Sequence, residues 1–219
     1  MKPDYNRAAT LAALTLIKLG VTTTPVHPEA LIRRCKNTRL MSYADYCRLP
    51  NIASQFPDAI DKPHPEALTQ VYERGNETWW LVYYDSKMIH GDRWQFSMAH
   101  ELGHIVMRHH GHDPAEEDEA DFFAAHLLLP RAIVAELISQ EIPLLEVNLY
   151  NLSNASRACL WMMQESEPSI INPRYNSILR QRFHAHISNE AASGNLWPYA
   201  QRPMALYSLT SYMTGYQEG

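Results

Sequence analysis

Residues 100–104 read His-Glu-Leu-Gly-His. On an α-helix, positions i and i+4 lie on one face, about a turn apart. His100 and His104 can therefore both turn an imidazole nitrogen toward one ion at about 2 Å. Glu101 is rotated about 100° from His100. It need not bind the metal itself and can instead address a water on that metal as general base. Phe96, Ala99, Leu102, Ile105 and Val106 bury most of such a helix, and a carboxylate set among them needs a compensating role. The bland alternative is that the two histidines are incidental and Glu101 is a solvated or paired acid.

A catalytic zinc takes three protein ligands and leaves a fourth position open. The segment after the motif offers Glu116, Glu117, Asp118, Glu119 and Asp121. Asp113 before Pro114 predicts a helix N-cap followed by its first residue, which makes Glu116 the residue that folds back in a capping box. Glu117 and Asp118 suit the positive end of the helix dipole and are expected to face water. Ala120, Phe123, Ala124, Leu127 and Leu128 form the apolar face, and Glu119 stands beside it. Glu119 is thus the carboxylate best placed to point inward as the third metal ligand. Glu116 is the next candidate, and one more first-turn acid is the bland reading of Glu119. His126 lies seven residues beyond Glu119, about 10 Å along the axis, and reads as a packing residue. His109, His110 and His112 sit in a short polar turn and read as solvated.

The elements that must position these groups are legible in outline. Residues 4–19 carry Ala8, Leu11, Ala12, Thr15, Leu16 and Leu19 at helical spacing, with Gly20 as a stop. A second helix is expected over 28–36 and a short strand over 38–43. Residues 45–65 hold Pro50, Pro57, Pro63 and Pro65 and read as loop with short helical turns. The run TWWLVYY at 78–84 is the clearest strand, set between turn residues. It could receive a substrate by strand addition, although its aromatics are read first as core cover. Helices are expected over 94–109, 114–129, 131–140, 152–163 (with Ser153 or Asn154 as its cap) and 174–188. The chain divides into a catalytic domain over 1–165 and a C-terminal extension of unknown role over 166–219.

The segment RWQFSMAHELGHIVMRHH, followed by EADFFAAHLLLP, resembles the ImmA/IrrE family of bacterial zinc metallopeptidases. Arg93, Phe96, Ala99, His100, Glu101, Gly103 and His104 match the family's first block. Glu119, Ala120, Phe123, Ala124, Leu127, Leu128 and Pro130 match its second. The resemblance covers about residues 5–165 and is strongest over 93–130. It implies an α+β fold with a zincin-like (gluzincin-type) core: a small β-sheet, an HExxH helix and packed helices, here with a C-terminal extension. It implies zinc (Zn2+) held by His100, His104 and Glu119, with Glu101 as base. It further implies that the substrate is a helix-turn-helix transcriptional repressor, cleaved to derepress genes of a mobile element or a stress response. The alternative is a metal-stabilised module that grips a repressor or toxin partner without cutting it.

Composition narrows the field. The formal net charge of −5 over 219 residues argues against a general nucleic-acid binder. Residues 147–163 hold one basic residue, Arg157, too few for a phosphate-binding helix pair. Cys35, Cys47 and Cys159 are odd in number and widely spaced, so reduced thiols are expected. The N-terminal apolar stretch is interrupted by Thr15 and Lys18 and lacks a cleavage site. No run approaches the roughly 20 apolar residues that span a bilayer. A soluble, cytoplasmic protein with no membrane partner and no direct nucleic-acid contact is expected.

Overall fold

A computed structural model describes residues 2–48, 66–89, 93–111, 113–154 and 172–197. Helix α1 (Tyr5–Lys18) starts where the Asp4 carboxylate accepts the Arg7 amide at 2.9 Å and ends before Gly20, which holds a φ of +67°. Its buried face is built from Ala8, Ala9, Ala12, Ala13 and Leu16. Small residues of this kind let neighbouring helices approach closely. Helix α2 (Pro28–Ile32) begins on a proline whose missing N–H costs nothing there, and it is shorter than the sequence predicts. Strand β1 (Thr38–Ser42) and the short helix α3 (Tyr43–Cys47) follow.

Strands β2 (Ala67–Arg74) and β3 (Glu77–Tyr84) form a hairpin across Gly75–Asn76. Gly75 takes a φ of +63° at the first turn position, where a side chain would be strained. The mixed sheet runs β1-β3-β2, with β1 parallel and β2 antiparallel to β3. The aromatic strand β3 is therefore central. Trp80 and Val82 enter the core, while Tyr83 stacks on Tyr43 and meets Tyr46 edge-on. Its side chains do cover the interior, and among the described residues the sheet's two edges belong to β1 and to β2, a strand the sequence leaves unassigned.

Helices α4 (Trp94–Met107), α5 (Pro114–Leu128), α6 (Arg131–Ser139) and α7 (Glu146–Ser153) follow; α4 packs on β2 and on α5, and α5 packs on α1. As predicted, Asp113 caps α5, accepting the Ala115 amide at 2.9 Å, and Pro114 opens it. Phe122, Phe123, Ala124, Ala125, Leu127 and Leu128 are all buried. A helix apolar on nearly all sides belongs in an interior. The stretch Pro114–Ser139 is apolar enough to cross a membrane, and 83% of its most apolar window is buried inside this fold. Asn154 closes α7 in the left-handed conformation, with a φ of +50°. It is thus a C-terminal stop and not the N-cap expected for a helix over 152–163, whose remainder lies outside the described residues. Cys35 and Cys47 are free thiols, and Cys159 lies outside the described residues.

Helix α8 (Pro173–Ala192), set apart in the sequence as an extension, shares the same core through Leu179, Phe183 and Ile187. Arg182 donates to the Ile17 carbonyl at the end of α1 at 2.8 Å. The buried Glu136 of α6 accepts from His184 at 2.6 Å and from Arg180 at 3.3 Å. Gln140 joins the cluster at 2.8 Å, and these partners outweigh burial to hold the Glu136 carboxyl below its usual range.

His126 is fully enclosed within α5, as its packing role predicts. Its Nδ1–H donates to the Phe122 carbonyl at 3.0 Å, which leaves Nε2 without a partner among the described residues. Burial drives its pKa down to about 4; the Phe122 carbonyl opposes this and Arg131 adds to it. A histidine with a depressed folded-state pKa binds fewer protons than the unfolded chain between about pH 4 and pH 6.5. Its neutral form therefore contributes stability that is complete above pH 6.5 and lost as pH falls toward 4. We expect His126→Leu to be nearly neutral at pH 7 and to remove roughly 3 kcal/mol of acid sensitivity between those limits. Urea denaturation from pH 4 to pH 7 measures it; parallel stability curves for the two proteins would refute it.

Candidate metal centre

Helix α4 turns His100, Glu101 and His104 toward one cleft, as their spacing requires. The Nε2 atoms of His100 and His104 stand 2.9 Å apart. Helix α5 crosses α4 at Gly103, where a Cβ would lie 3.2 Å from Ala120 Cα and 3.2 Å from Phe123 Cδ1. This close approach brings Glu117 and Asp121 to the histidines. Glu117 Oε2 is 3.2 Å from His100 Nε2, and its Oε1 is 3.8 Å from His104 Nε2. Donor atoms of His100, His104 and Glu117 all lie within 4.8 Å of one another. Asp121, one turn along from Glu117, meets His100 Nδ1 at 2.7 Å. A carboxylate there can only accept, so Nδ1 carries a proton and Nε2 is the nitrogen turned toward the cleft.

Two imidazole nitrogens and a carboxylate converging on one point, with an outer carboxylate fixing one ring, make a donor set that suits a divalent zinc-type ion. Burial opposes a charge on His100. The hydrogen bonds to Asp121 and Glu117 and the nearby Glu101 charge outweigh it, raising the pKa to about 10. A metal arriving at neutral pH must displace that proton.

The structure does not bring Glu119 to this point. Its carboxylate is buried on the opposite side of α5, where it accepts the Asp4 amide at 2.7 Å and meets His109 Nε2 at 3.0 Å. The sequence reading rightly turned Glu119 inward, but the interior and the metal cleft are different directions. Glu117 and Glu119 are about 200° apart around the helix. The cleft opens at the rim, where the Glu117 side chain remains 40% exposed. Glu116, the other candidate, accepts the Gly111 amide at 3.2 Å and closes the preceding loop.

His109 also departs from expectation. Arg108 adopts the left-handed conformation at a φ of +58°. The His109 amide then bonds the His104 carbonyl at 3.0 Å and the Arg108 amide bonds that of Ile105 at 3.3 Å. This helix-ending pattern folds His109 back so that its Nδ1 lies 3.0 Å from His104 Nδ1, with the residue only 4% exposed. His110 stays exposed beside Trp80, and His112 lies outside the described residues. Glu117, Asp121 and His109 are thus the site residues whose roles sequence reasoning missed. Asp121 was detectable, because Glu117 and Asp121 repeat the four-residue spacing of His100 and His104.

Glu101 is 5% exposed, and its Oε2 has no hydrogen-bond partner among the described residues. Burial raises its pKa; the His100 charge and Thr69 oppose this more weakly. The cleft has a volume of about 1010 Å³, and Glu66 with β2 from Ala67 to Tyr72 forms one wall. Glu66 ties that wall to the start of α4, accepting from Ser97 Oγ at 2.7 Å and pairing with Arg93 at 3.4 Å. β2 has no strand on its outer edge among the described residues, so its backbone groups can pair with an extended peptide laid across the histidines.

The α4–α5 crossing yields a direct test. Gly103→Ala gains about 1 kcal/mol of helix propensity but forces α5 outward by a few tenths of an ångström, at a cost of about 1–3 kcal/mol. Glu117 and Asp121 ride on α5. The expected variant melts at a lower temperature and binds metal more weakly, as thermal scans and a chelator competition would show. Unchanged metal affinity would mean that the crossing does not set the donor geometry.

Residues 72–158 match a peptidase family model described as the IrrE N-terminal-like domain. No curated protein matches the chain. The matched segment runs from the end of β2 through α7 and contains every donor gathered above, together with Glu101. This match supports the resemblance of residues 72–158 to the ImmA/IrrE family of peptidases.

Proposed function

We propose that the chain is a zinc-dependent endopeptidase with a zincin-like, gluzincin-type core, acting in the cytoplasm on a helix-turn-helix repressor to derepress mobile-element or stress genes. The observation that carries the enzymatic part is the convergence of His100 Nε2, His104 Nε2 and Glu117 within 4.8 Å, in a cleft that also contains the buried Glu101. The repressor target rests on the family resemblance.

Zinc held there supplies a Lewis acid that polarises a scissile carbonyl and acidifies water toward a pKa of about 7. The protein does the rest. His100 and His104 are held with Nε2 toward the cleft, and the open edge of β2 aligns the peptide backbone. Glu101 removes a proton from the attacking water and returns it to the leaving amine. Its raised pKa suits both halves of that exchange, because a carboxylate too acidic would take the proton reluctantly.

The test is metal analysis of the purified protein, together with co-expression beside a helix-turn-helix repressor encoded next to its gene. One bound zinc, with repressor cleavage by wild type and not by Glu101→Gln, supports the reading. Bound zinc with tight repressor binding and no cleavage would replace it with the sequestration role. Absence of metal would overturn it.

A further inference from the structure

The two metal-facing histidines are backed differently. His100 meets a carboxylate directly, Asp121 at 2.7 Å. His104 Nδ1 meets another imidazole, that of His109 at 3.0 Å, and the far nitrogen of His109 meets Glu119 at 3.0 Å. Glu119 is in turn held by the Asp4 amide at 2.7 Å, with the Arg7 guanidinium 3.9 Å away. Arg7 also donates to the Met107 carbonyl at 2.6 Å, near the end of α4.

We infer that His109 and Glu119 form a positioning relay that fixes the metal-binding tautomer of His104 and ties it to the start of α1. The directions follow from the chemistry. Glu119 already receives the Asp4 N–H and, as a carboxylate, accepts from His109. His109 Nε2 therefore carries the proton, and its Nδ1 is left as an acceptor. That acceptor requires the proton of His104 on Nδ1, which leaves His104 Nε2 with its lone pair toward the cleft. One orientation at Glu119 thus propagates through two rings to the metal position. His104, His109 and Glu119 are 6%, 4% and 7% exposed, so bulk water is poorly placed to substitute for a lost partner. The Arg108 turn exists at some cost, since a non-glycine residue in the left-handed region is disfavoured. What that turn delivers is His109 against His104.

This inference rests on the proposed metal site, and its test separates the two. Zinc affinity is measured by chelator competition, and cobalt is added to record its visible ligand-field spectrum. The proteins compared are wild type, His109→Leu and His109→Gln. Gln can accept from His104 through its carbonyl and donate to Glu119 through its amide. Removing an outer partner of a metal-bound histidine weakens affinity by about 10–100-fold. We expect that loss, with an altered cobalt spectrum, for His109→Leu, and recovery to within about tenfold of wild type for His109→Gln. If wild type binds and His109→Leu binds equally well, the relay is overturned while the metal site stands. If wild type binds no metal, both are overturned. Nitrogen-15 spectra of the wild-type histidine rings test the relay independently of whether the variants fold. His104 protonated at Nδ1 and His109 at Nε2 is the expected pattern, and His109 protonated at Nδ1 would overturn it.

Discussion

Glu101→Gln should bind zinc as wild type does and cleave substrate about 10²–10⁴-fold more slowly, the usual worth of a positioned general base. The amide has the shape of the acid, so the three donor groups on α4 and α5 keep their geometry. It can neither take a proton from water nor return one to the amine. The loss should fall on kcat, with KM little changed, because Glu101 acts on the reacting water and not on the peptide backbone held along β2. A second effect should accompany it. Glu101 is a buried carboxylate with one oxygen that has no partner among the described residues, and burial raises its pKa above that of the unfolded chain. For an acid, that direction means stability is lost as pH rises through the shifted pKa. The Gln variant escapes this loss and should melt higher in its metal-free form at neutral pH, a trade of stability for function. Cleavage at the wild-type rate would remove Glu101 from the mechanism.

The parts of this site that the sequence made legible are those encoded along a single element. His100, Glu101 and His104 lie within five consecutive residues, and helical geometry alone faces the two histidines the same way. Asp113 and Pro114 announce the start of α5 for equally local reasons. The relation between elements was not legible. Glu119 and Glu117 differ by about 200° around α5, and both readings of that helix are amphipathically sensible. What chooses Glu117 is where α5 crosses α4, and that is set by the contact of Gly103 with Ala120. The polar neighbours of His109 predict a solvated ring. It is buried because the left-handed Arg108 turns the chain back, a conformation that residue type does not announce. Strand β2 alternates Leu68, Gln70 and Tyr72 against Ala67, Thr69 and Val71, a usable period of two, but its start lies directly behind a proline-rich run.

The choice between the two glutamates predicts a large difference between two similar substitutions. Glu117→Ala removes one of three metal donors and should weaken zinc binding by more than the roughly 100-fold upper bound for outer partners. Glu119→Ala removes only the far end of the His109 contact and should fall within the 10–100-fold range. Parallel chelator competition on the two purified variants decides it. The opposite ranking would require α5 to present Glu119 to the histidines when metal binds. That rotation of about 200° would carry Phe123, Ala124, Leu127 and Leu128, all fully buried, out of the core. It would also break the Asp113 cap and the salt bridge that Glu119 makes with Arg7. Exposing side chains of that size costs about 1.5–3 kcal/mol for each of the large ones, far beyond what one altered ligand returns. The packing of α5 thus commits Glu117 to the metal and Glu119 to the relay behind it.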